Sequence, residues 1–324
     1  MKELSKRIIE GDVRSASHLI RNIEDQMPGT DDVMRELFTV KKDTHVIGFT
    51  GSPGAGKSTL TDGLITAYRK LDKTIGVLAV DPSSPFSGGA ILGDRIRMVQ
   101  HATDRKVFMR SLSARGSAGG LSKAAGEAVQ IMEAMGKDRI LVETCGVGQQ
   151  EVDIIDHAHT VVVVLVPGMG DEVQTIKAGI MEIADIFVIN KANRDGAQKL
   201  YREISAMLAS SPSNKEAPER RWKVPIVMVE NLNDHDKFQQ SVETLREKLD
   251  EHYEYLIKNH LLANKAQHKI EAELKEALWS RIFQPVVDKL YADGEMEQMI
   301  DRLVKKETDP YTLADKIAKE YLDK

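Results

Sequence analysis

The chain has 324 residues, 41% apolar and 29% charged, with a formal net charge of −5, which suits one α/β domain with helical additions or two domains. Without a basic excess to release phosphate counterions, a nucleic-acid partner is disfavoured. The longest apolar run, Val161 to Val166, falls far short of the roughly 20 residues that span a bilayer.

A single cysteine, Cys145, excludes an internal disulfide framework and fits a reducing cytosol. The charged start, Met1 to Arg7, lacks the apolar core of a signal peptide. The expected location is the cytoplasm, away from membranes.

Residues 1 to about 40 read as short amphipathic helices. Leu4, Ile8, Val13, Ala16, Leu19, Ile20 and Ile23 recur at helical spacing, Gly11-Asp12 separates two segments, and Thr30 is expected to cap a third. His45 to Thr50 is then an apolar run that reads as a buried strand. It leads into Gly51-Ser52-Pro53-Gly54-Ala55-Gly56-Lys57-Ser58-Thr59, after which Leu60, Leu64, Ile65 and Tyr68 mark a helix. GxxxxGKS between a strand and a helix is a phosphate-binding loop. Its glycines let successive N–H groups point inward, and the helix N-terminus adds the positive end of its dipole. Lys57 is expected on the β/γ-phosphates, Ser58 on Mg²⁺ and Thr59 on an inner phosphate.

Thr74 to Val80 is a second continuous apolar run, and it ends at Asp81-Pro82. The Pro-, Ser- and Gly-rich stretch to Asp94 is a loop, Lys106 to Ser111 a strand, and Gly116 to Gly120 open a helix reaching about Met135. Asp138 to Glu143 is a strand that ends in an acid, and His159 to Val166 is the most β-prone run. A helix begins at Asp171-Glu172, Ile186 to Ile189 is a further strand, and Val224 to Val229 is the last. Ser210 to Arg220 is a surface loop. Strands alternating with helices in this way predict a parallel sheet covered on both faces, with ligands at the carboxyl ends of the strands.

From about Asn231 the chain reads as helical, with Ile270, Leu274, Leu278 and Ile282 in one stripe, a break at Pro285, and a last helix begun by Asp309-Pro310. Packing on the parent domain and an oligomer interface are both open for this tail. The expected organisation is an N-terminal helical extension over 1–43, a P-loop NTPase domain over 44–255, and a C-terminal helical region over 256–324.

A triphosphatase needs hard oxygen ligands for Mg²⁺ around the loop serine, and Asp81, Asp94 and Glu143 are the candidates. A cap or turn role is the alternative for each. Gln149 invites comparison with a water-orienting glutamine, although its spacing differs from the Asp-x-x-Gly-Gln of Ras-type loops, and a surface role stands beside that reading. Gln174 and Lys177 share one helix face. Cys145 reads as a small packing residue.

These segments together resemble the MeaB/ArgK family of G-protein chaperones, also labelled LAO/AO transport ATPases. The resemblance rests on GSPGAGKST at 51–59, DPSSPFSGGAILGDRIRM at 81–98, ETCGVGQQE at 143–151, PGMGDEVQTIKAG at 167–179 and NKAN at 190–193. It implies a Mg²⁺-dependent GTPase that gates adenosylcobalamin loading onto methylmalonyl-CoA mutase or a related acyl-CoA mutase and protects it. It also implies a homodimer formed through the C-terminal helices. Asp81, Asp94 and Glu143 become Mg²⁺-linked and hydrolytic residues, and the segments 82–98, 146–156 and 167–179 become three switches. Gln174 and Lys177 gain a role in the third, where Lys177 stabilises transition-state charge once a partner orders the segment. A P-loop kinase or ATPase linked to amino-acid transport, and a metal-delivery GTPase of the nickel-enzyme type, are the alternatives.

Two departures concern the base. The family's Asn-Lys-x-Asp reads Asn190-Lys191-Ala192-Asn193, and Val229-Glu230-Asn231 stands where relatives usually carry Ser-Ala. A carboxylate accepts from both guanine N1–H and N2–H, whereas an amide offers one acceptor oxygen and turns a donor toward a donor, a mispairing worth about 1–3 kcal/mol. The resemblance implies guanosine triphosphate, with xanthosine and adenosine triphosphates as alternatives.

Overall fold

The computed structural model describes residues 2–81, 100–113, 123–144, 157–168, 183–210, 222–230 and 232–322. Seven strands form one all-parallel sheet: β1 (His45–Thr50), β2 (Ile75–Asp81), β3 (Val107–Ser113), β4 (Arg139–Glu143), β5 (Thr160–Leu165), β6 (Ile186–Asn190) and β7 (Ile226–Val229). Their order is β3-β2-β4-β1-β5-β6-β7, with β1 paired to β4 on one side and β5 on the other. β1, β5 and β6 are buried along their whole length, as apolar strands must be when helices cover both faces.

Alternate side chains feed two cores. On one face Val46, Val161, Val163 and Leu165 pack among α1 (Lys2–Ile9), α2 (Val13–Glu24), α3 (Thr30–Phe38), α5 (Lys123–Ala134) and α6 (Ala197–Ser210). On the other, Ile47, Phe49, Val162 and Val164 pack against α4 (Lys57–Lys70) and α7 (His235–Lys258). The N-terminal helices thus supply Ile8, Leu19, Ile20 and Leu37 to a core of the sheet. Asp12 caps α2 through its side chain, which accepts from Ser15 N at 3.1 Å. Thr30 does not cap α3. Gly29 takes that position at φ +89°, and the Thr30 hydroxyl instead donates back to Met27 O at 3.2 Å.

The amino end of the sheet carries buried polar side chains. The His45 ring lies 2.7 Å from Thr160 Oγ1, which lies 2.8 Å from His252 Nδ1. His252 Nε2 is 3.3 Å from Asp185, which also holds Lys265 Nζ at 3.2 Å and accepts from Val161 N. Burial holds both imidazoles below their ordinary pKa, His252 down to about 4.

The chain divides into two compact units, Met1–Lys265 and Ala266–Lys324. The second contains the end of α8 (Leu261–Leu278), a wide π turn (Trp279–Phe283), α9 (Gln284–Ala292), α10 (Glu295–Val304) and α11 (Pro310–Leu322). Pro285 does not break the helical run. It falls in the first turn of α9 just after the π turn, where the widened backbone absorbs its missing N–H. Asp309 caps α11 by accepting from Thr312 N at 2.9 Å. Among the described residues, no helix is long and apolar enough to cross a membrane.

Candidate functional site

The loop leaves the carboxyl end of β1 under tight steric control. Gly51 has φ +133°, and a Cβ there would lie 2.2 Å from the backbone oxygen of Val164 on β5. Gly56 has φ +91°, and its Cβ would lie 2.2 Å from Asn190 Nδ2. Only glycine permits both the left-handed backbone and this approach. Ala55 is buried beneath the turn, while Pro53 and Gly54 face solvent. Gly56 precedes α4 and supplies no side-chain cap, which leaves the N–H groups of Lys57, Ser58 and Thr59 at a helix N-terminus suited to an anion.

Lys57 curls over its own loop, with Nζ donating to Gly51 O at 2.6 Å and Ser52 O at 3.2 Å. That ammonium sits at the mouth of the cradle. Ser58 Oγ donates to Glu143 Oε1 at 2.6 Å. Both residues are about nineteen-twentieths buried, with relative exposures of 5% and 6%. The end of β4 is held by Thr144, whose N–H donates to Phe49 O at 3.2 Å. A hydroxyl and a buried carboxylate at hydrogen-bond distance are hard oxygen donors, the set that suits Mg²⁺.

On the other side of β1, Asn190 Nδ2 donates to Ala55 O at 2.7 Å and Lys191 Nζ to Gly54 O at 3.0 Å. Lys191 adopts φ +56°, and Ala192 N donates to Val229 O at 3.0 Å. Asn193 is exposed in the turn that follows. Val229 is buried at the end of β7, and Glu230 N donates to Ser241 Oγ at 3.3 Å.

The structure therefore brings together Gly51 to Thr59, Glu143, Asn190 and Lys191, with Val229 joined to the turn after β6. Asp81 ends β2 opposite Ser113. Asp94, Gln149, Gln174, Lys177 and Asn231, together with most of the three switch segments, lie outside the described residues. Thr144 and Ser241 stand beside these residues without a motif in the sequence that marks them. The position of Thr144 directly after Glu143 was an available signal, whereas Ser241 is brought in by α7 from a distant part of the chain.

A parallel sheet with a GxxxxGKS loop between β1 and α4 defines a P-loop nucleoside-triphosphate-binding protein. The family model described as methylmalonyl Co-A mutase-associated GTPase MeaB matches residues 17–291, and the chain belongs to that family of GTPases. A Pyrococcus abyssi protein whose name describes a GTPase is 45% identical over 99% of this chain and 96% of its own length. GTPase ArgK of Escherichia coli is 31% identical over 82% of this chain and 87% of its own length. The mouse protein named methylmalonic aciduria type A homolog, mitochondrial, is 31% identical over 81% of this chain and 61% of its length. In fold, the chain superposes on a solved LAO/AO transport system kinase with a TM-score of 0.67 at 21% identity, covering 100% of this chain and 97% of the other. Family membership implies guanine-nucleotide binding and hydrolysis.

Proposed function

We propose that this protein is a Mg²⁺-dependent GTPase that acts in the cytoplasm as a homodimeric chaperone of an adenosylcobalamin-dependent acyl-CoA mutase, methylmalonyl-CoA mutase or a relative. The observation that carries the nucleotide half is the pair of contacts flanking one loop, Ser58 to Glu143 on one side and Asn190 to Ala55 on the other. The mutase half is supported by the family's name and by the resemblance of the three switch segments. The homodimer is supported by apolar side chains exposed on the C-terminal helices.

In the reaction, water attacks the γ-phosphorus, the bond from phosphorus to the β–γ bridging oxygen breaks, and guanosine diphosphate and phosphate leave. Lys57 exchanges its two carbonyl acceptors for β/γ-phosphate oxygens, and the α4 N-terminus receives the inner phosphates. Ser58, Asp81, Asp94 and Glu143 are the residues that would hold Mg²⁺, whose contribution when bound is neutralisation of phosphate charge. Lys177 and Gln174 act when the mutase orders their segment, so that partner binding raises turnover.

The test is single-turnover hydrolysis of guanosine triphosphate with and without the mutase. Acceleration by the mutase that Lys177→Ala abolishes while leaving the basal rate intact supports this reading. A rate indifferent to the mutase overturns the chaperone assignment.

A further inference from the structure

The face of α4 that begins at Ser58 continues one turn on at Asp62, then at Thr66 and Arg69, because residues three and four apart lie above one another on a helix. Ser58 meets Glu143 at the end of β4. The rest of the face grips the segment that enters β3. Gln100 Nε2 donates to Asp62 Oδ2 at 2.7 Å, and His101 Nε2 lies 3.3 Å from Asp62 Oδ1 and 3.4 Å from Thr66 Oγ1. Farther along, Arg69 Nε donates to Asp104 Oδ2 at 2.7 Å and Lys106 Nζ to Asp72 at 2.6 Å. These ties differ in their surroundings. Asp72 and Lys106 are exposed, whereas His101 is buried. Asp62 Oδ1 is buried too, and among the described residues no hydrogen bond reaches it, so the His101 imidazole is the group that faces it.

We propose that Asp62 is a positioning residue for hydrolysis. By holding Gln100 and His101 against α4, it fixes, one turn beyond Ser58, the end of the chain that carries Asp94. The inference rests on the reading of this site as that of a GTPase with Asp94 in its hydrolytic set, and adds the group that anchors that set. Asp94 lies six positions before Gln100. The chain between Asp81 and Gln100 is tied at both ends, by the β2 ladder and by Asp62. Without Asp62 the next tie along α4 is Arg69 to Asp104. The anchor then slides four residues along the chain and about two turns down the helix, away from Ser58. Asp62 touches no substrate, and the contacts of Lys57 and Ser58 do not pass through it. Its loss therefore falls on turnover and not on binding.

The experiment measures guanosine triphosphate hydrolysis, nucleotide affinity and thermal unfolding for variants of the full-length protein. Asp62→Ala should lower kcat by about 10- to 100-fold, the scale on which a misplaced reacting group costs rate, with KM and nucleotide affinity unchanged. His101→Ala should act in the same direction and less, because Gln100 stays tied. The double variant should be no slower than Asp62→Ala, since the two side chains act as a unit. Asp62→Asn, which keeps an acceptor for Gln100, should recover part of the rate. Lys106→Gln, which removes the tie to Asp72 at the far end of the same face, should leave kcat unchanged. A loss of thermal stability in Asp62→Ala with kcat retained would make the contact structural and overturn the proposal. So would an equal fall of kcat in Lys106→Gln, or a loss confined to KM. Absence of hydrolysis by the unaltered protein would instead remove the GTPase reading, and this proposal with it.

Discussion

The hydroxyl of Ser58 donates to the carboxylate of Glu143 at 2.6 Å, although the two residues lie 85 positions apart. The contact exists because β1, which feeds the loop, and β4, which ends in Glu143, are adjacent parallel strands in register, with Phe49 opposite Glu143. A buried carboxylate is tolerated only when cations or hydrogen bonds compensate it. In the proposed function Glu143 belongs to the hydrolytic machinery, and the Ser58 hydrogen bond is the compensation the structure gives it. Glu143→Gln keeps the size and one acceptor but removes the charge. Turnover should fall by about 100-fold or more, while affinity for the nucleotide changes by no more than about 3-fold, because Lys57 and the loop N–H groups are untouched. Equilibrium binding and single-turnover assays on the same preparation separate the two effects, and an unchanged turnover would return Glu143 to a structural role.

Gly56 and Asn190 form a second such pair. A methyl group at 56 would meet Asn190 Nδ2 at 2.2 Å and would also force a non-glycine residue to φ +91°. Gly56→Ala should lower stability by about 2–4 kcal/mol, combining left-handed strain with loss of the buried Asn190–Ala55 hydrogen bond. Adding Asn190→Ala removes the clash but not the strain. The double variant should then be less destabilised than the sum of the single ones. Denaturant unfolding of all four proteins tests this, and strict additivity would mean that the two side chains do not compete for one space.

Much of this was legible in the sequence because it is local. β-branched runs such as Val161 to Val166 can only be buried strands, and the glycines of 51–56 announce a turn that binds phosphate. What escaped depends on partners far along the chain. β3 was expected to end at Ser111, but it continues to Ser113 because β2 extends to Asp81 and offers it a ladder. Thr30 looked like a cap, yet the left-handed backbone at Gly29 places the helix start one residue earlier. Pro285 looked like a stop because a proline's effect on an α-helix is local, whereas the π turn that accommodates it is a property of the whole preceding run. The pairing of Asn190 with Ala55 joins residues 135 positions apart, and no spacing rule encodes it.

The C-terminal helices expose a face that water disfavours. Ile270, Leu274, Leu278 and Ile282 follow one another at four-residue spacing and are each about half exposed, and Trp279 stacks on Phe283 at 3.9 Å beside them. Burying the exposed half of each such side chain contributes about 0.8–1.5 kcal/mol, which over four from each of two copies supports a dimer. Sedimentation velocity should find a dimer at micromolar concentration. Leu278→Glu combined with Ile282→Glu should shift it to monomer, with circular dichroism and nucleotide affinity retained. A monomer before substitution would exclude this face as the dimer contact.

His252 is buried between Thr160 and Asp185, and its ring also lies 4.7 Å from Trp222. One arrangement of protons serves all three contacts and leaves the buried His45 Nδ1 as an acceptor without a donor among the described residues. His45 Nε2–H donates to Thr160 Oγ1, the Thr160 hydroxyl donates to His252 Nδ1, and His252 Nε2–H donates to Asp185. In that arrangement both imidazoles are neutral. Desolvation is the largest influence on His252 and outweighs the attraction of Asp185, so its pKa falls from 6.5 to about 4, and Lys265 pushes in the same direction. His45 is lowered as well, first by burial and then by His159, Arg139, His252 and Lys265. A histidine with a depressed folded pKa takes up a proton more readily when unfolded. The stability it contributes is complete above about pH 6.5 and is lost as pH falls toward 4, amounting to about 3 kcal/mol for His252 alone. Between pH 7 and 5 most carboxylates stay ionised, so the decline there reports the imidazoles. Urea unfolding at pH 7, 6 and 5 should show stability falling at each step. His252→Gln, which keeps hydrogen-bonding capacity without a titrating ring, should be less stable at pH 7 and shallower in its dependence on pH. An equal slope in both proteins would show that His252 is not the group whose protonation opposes folding.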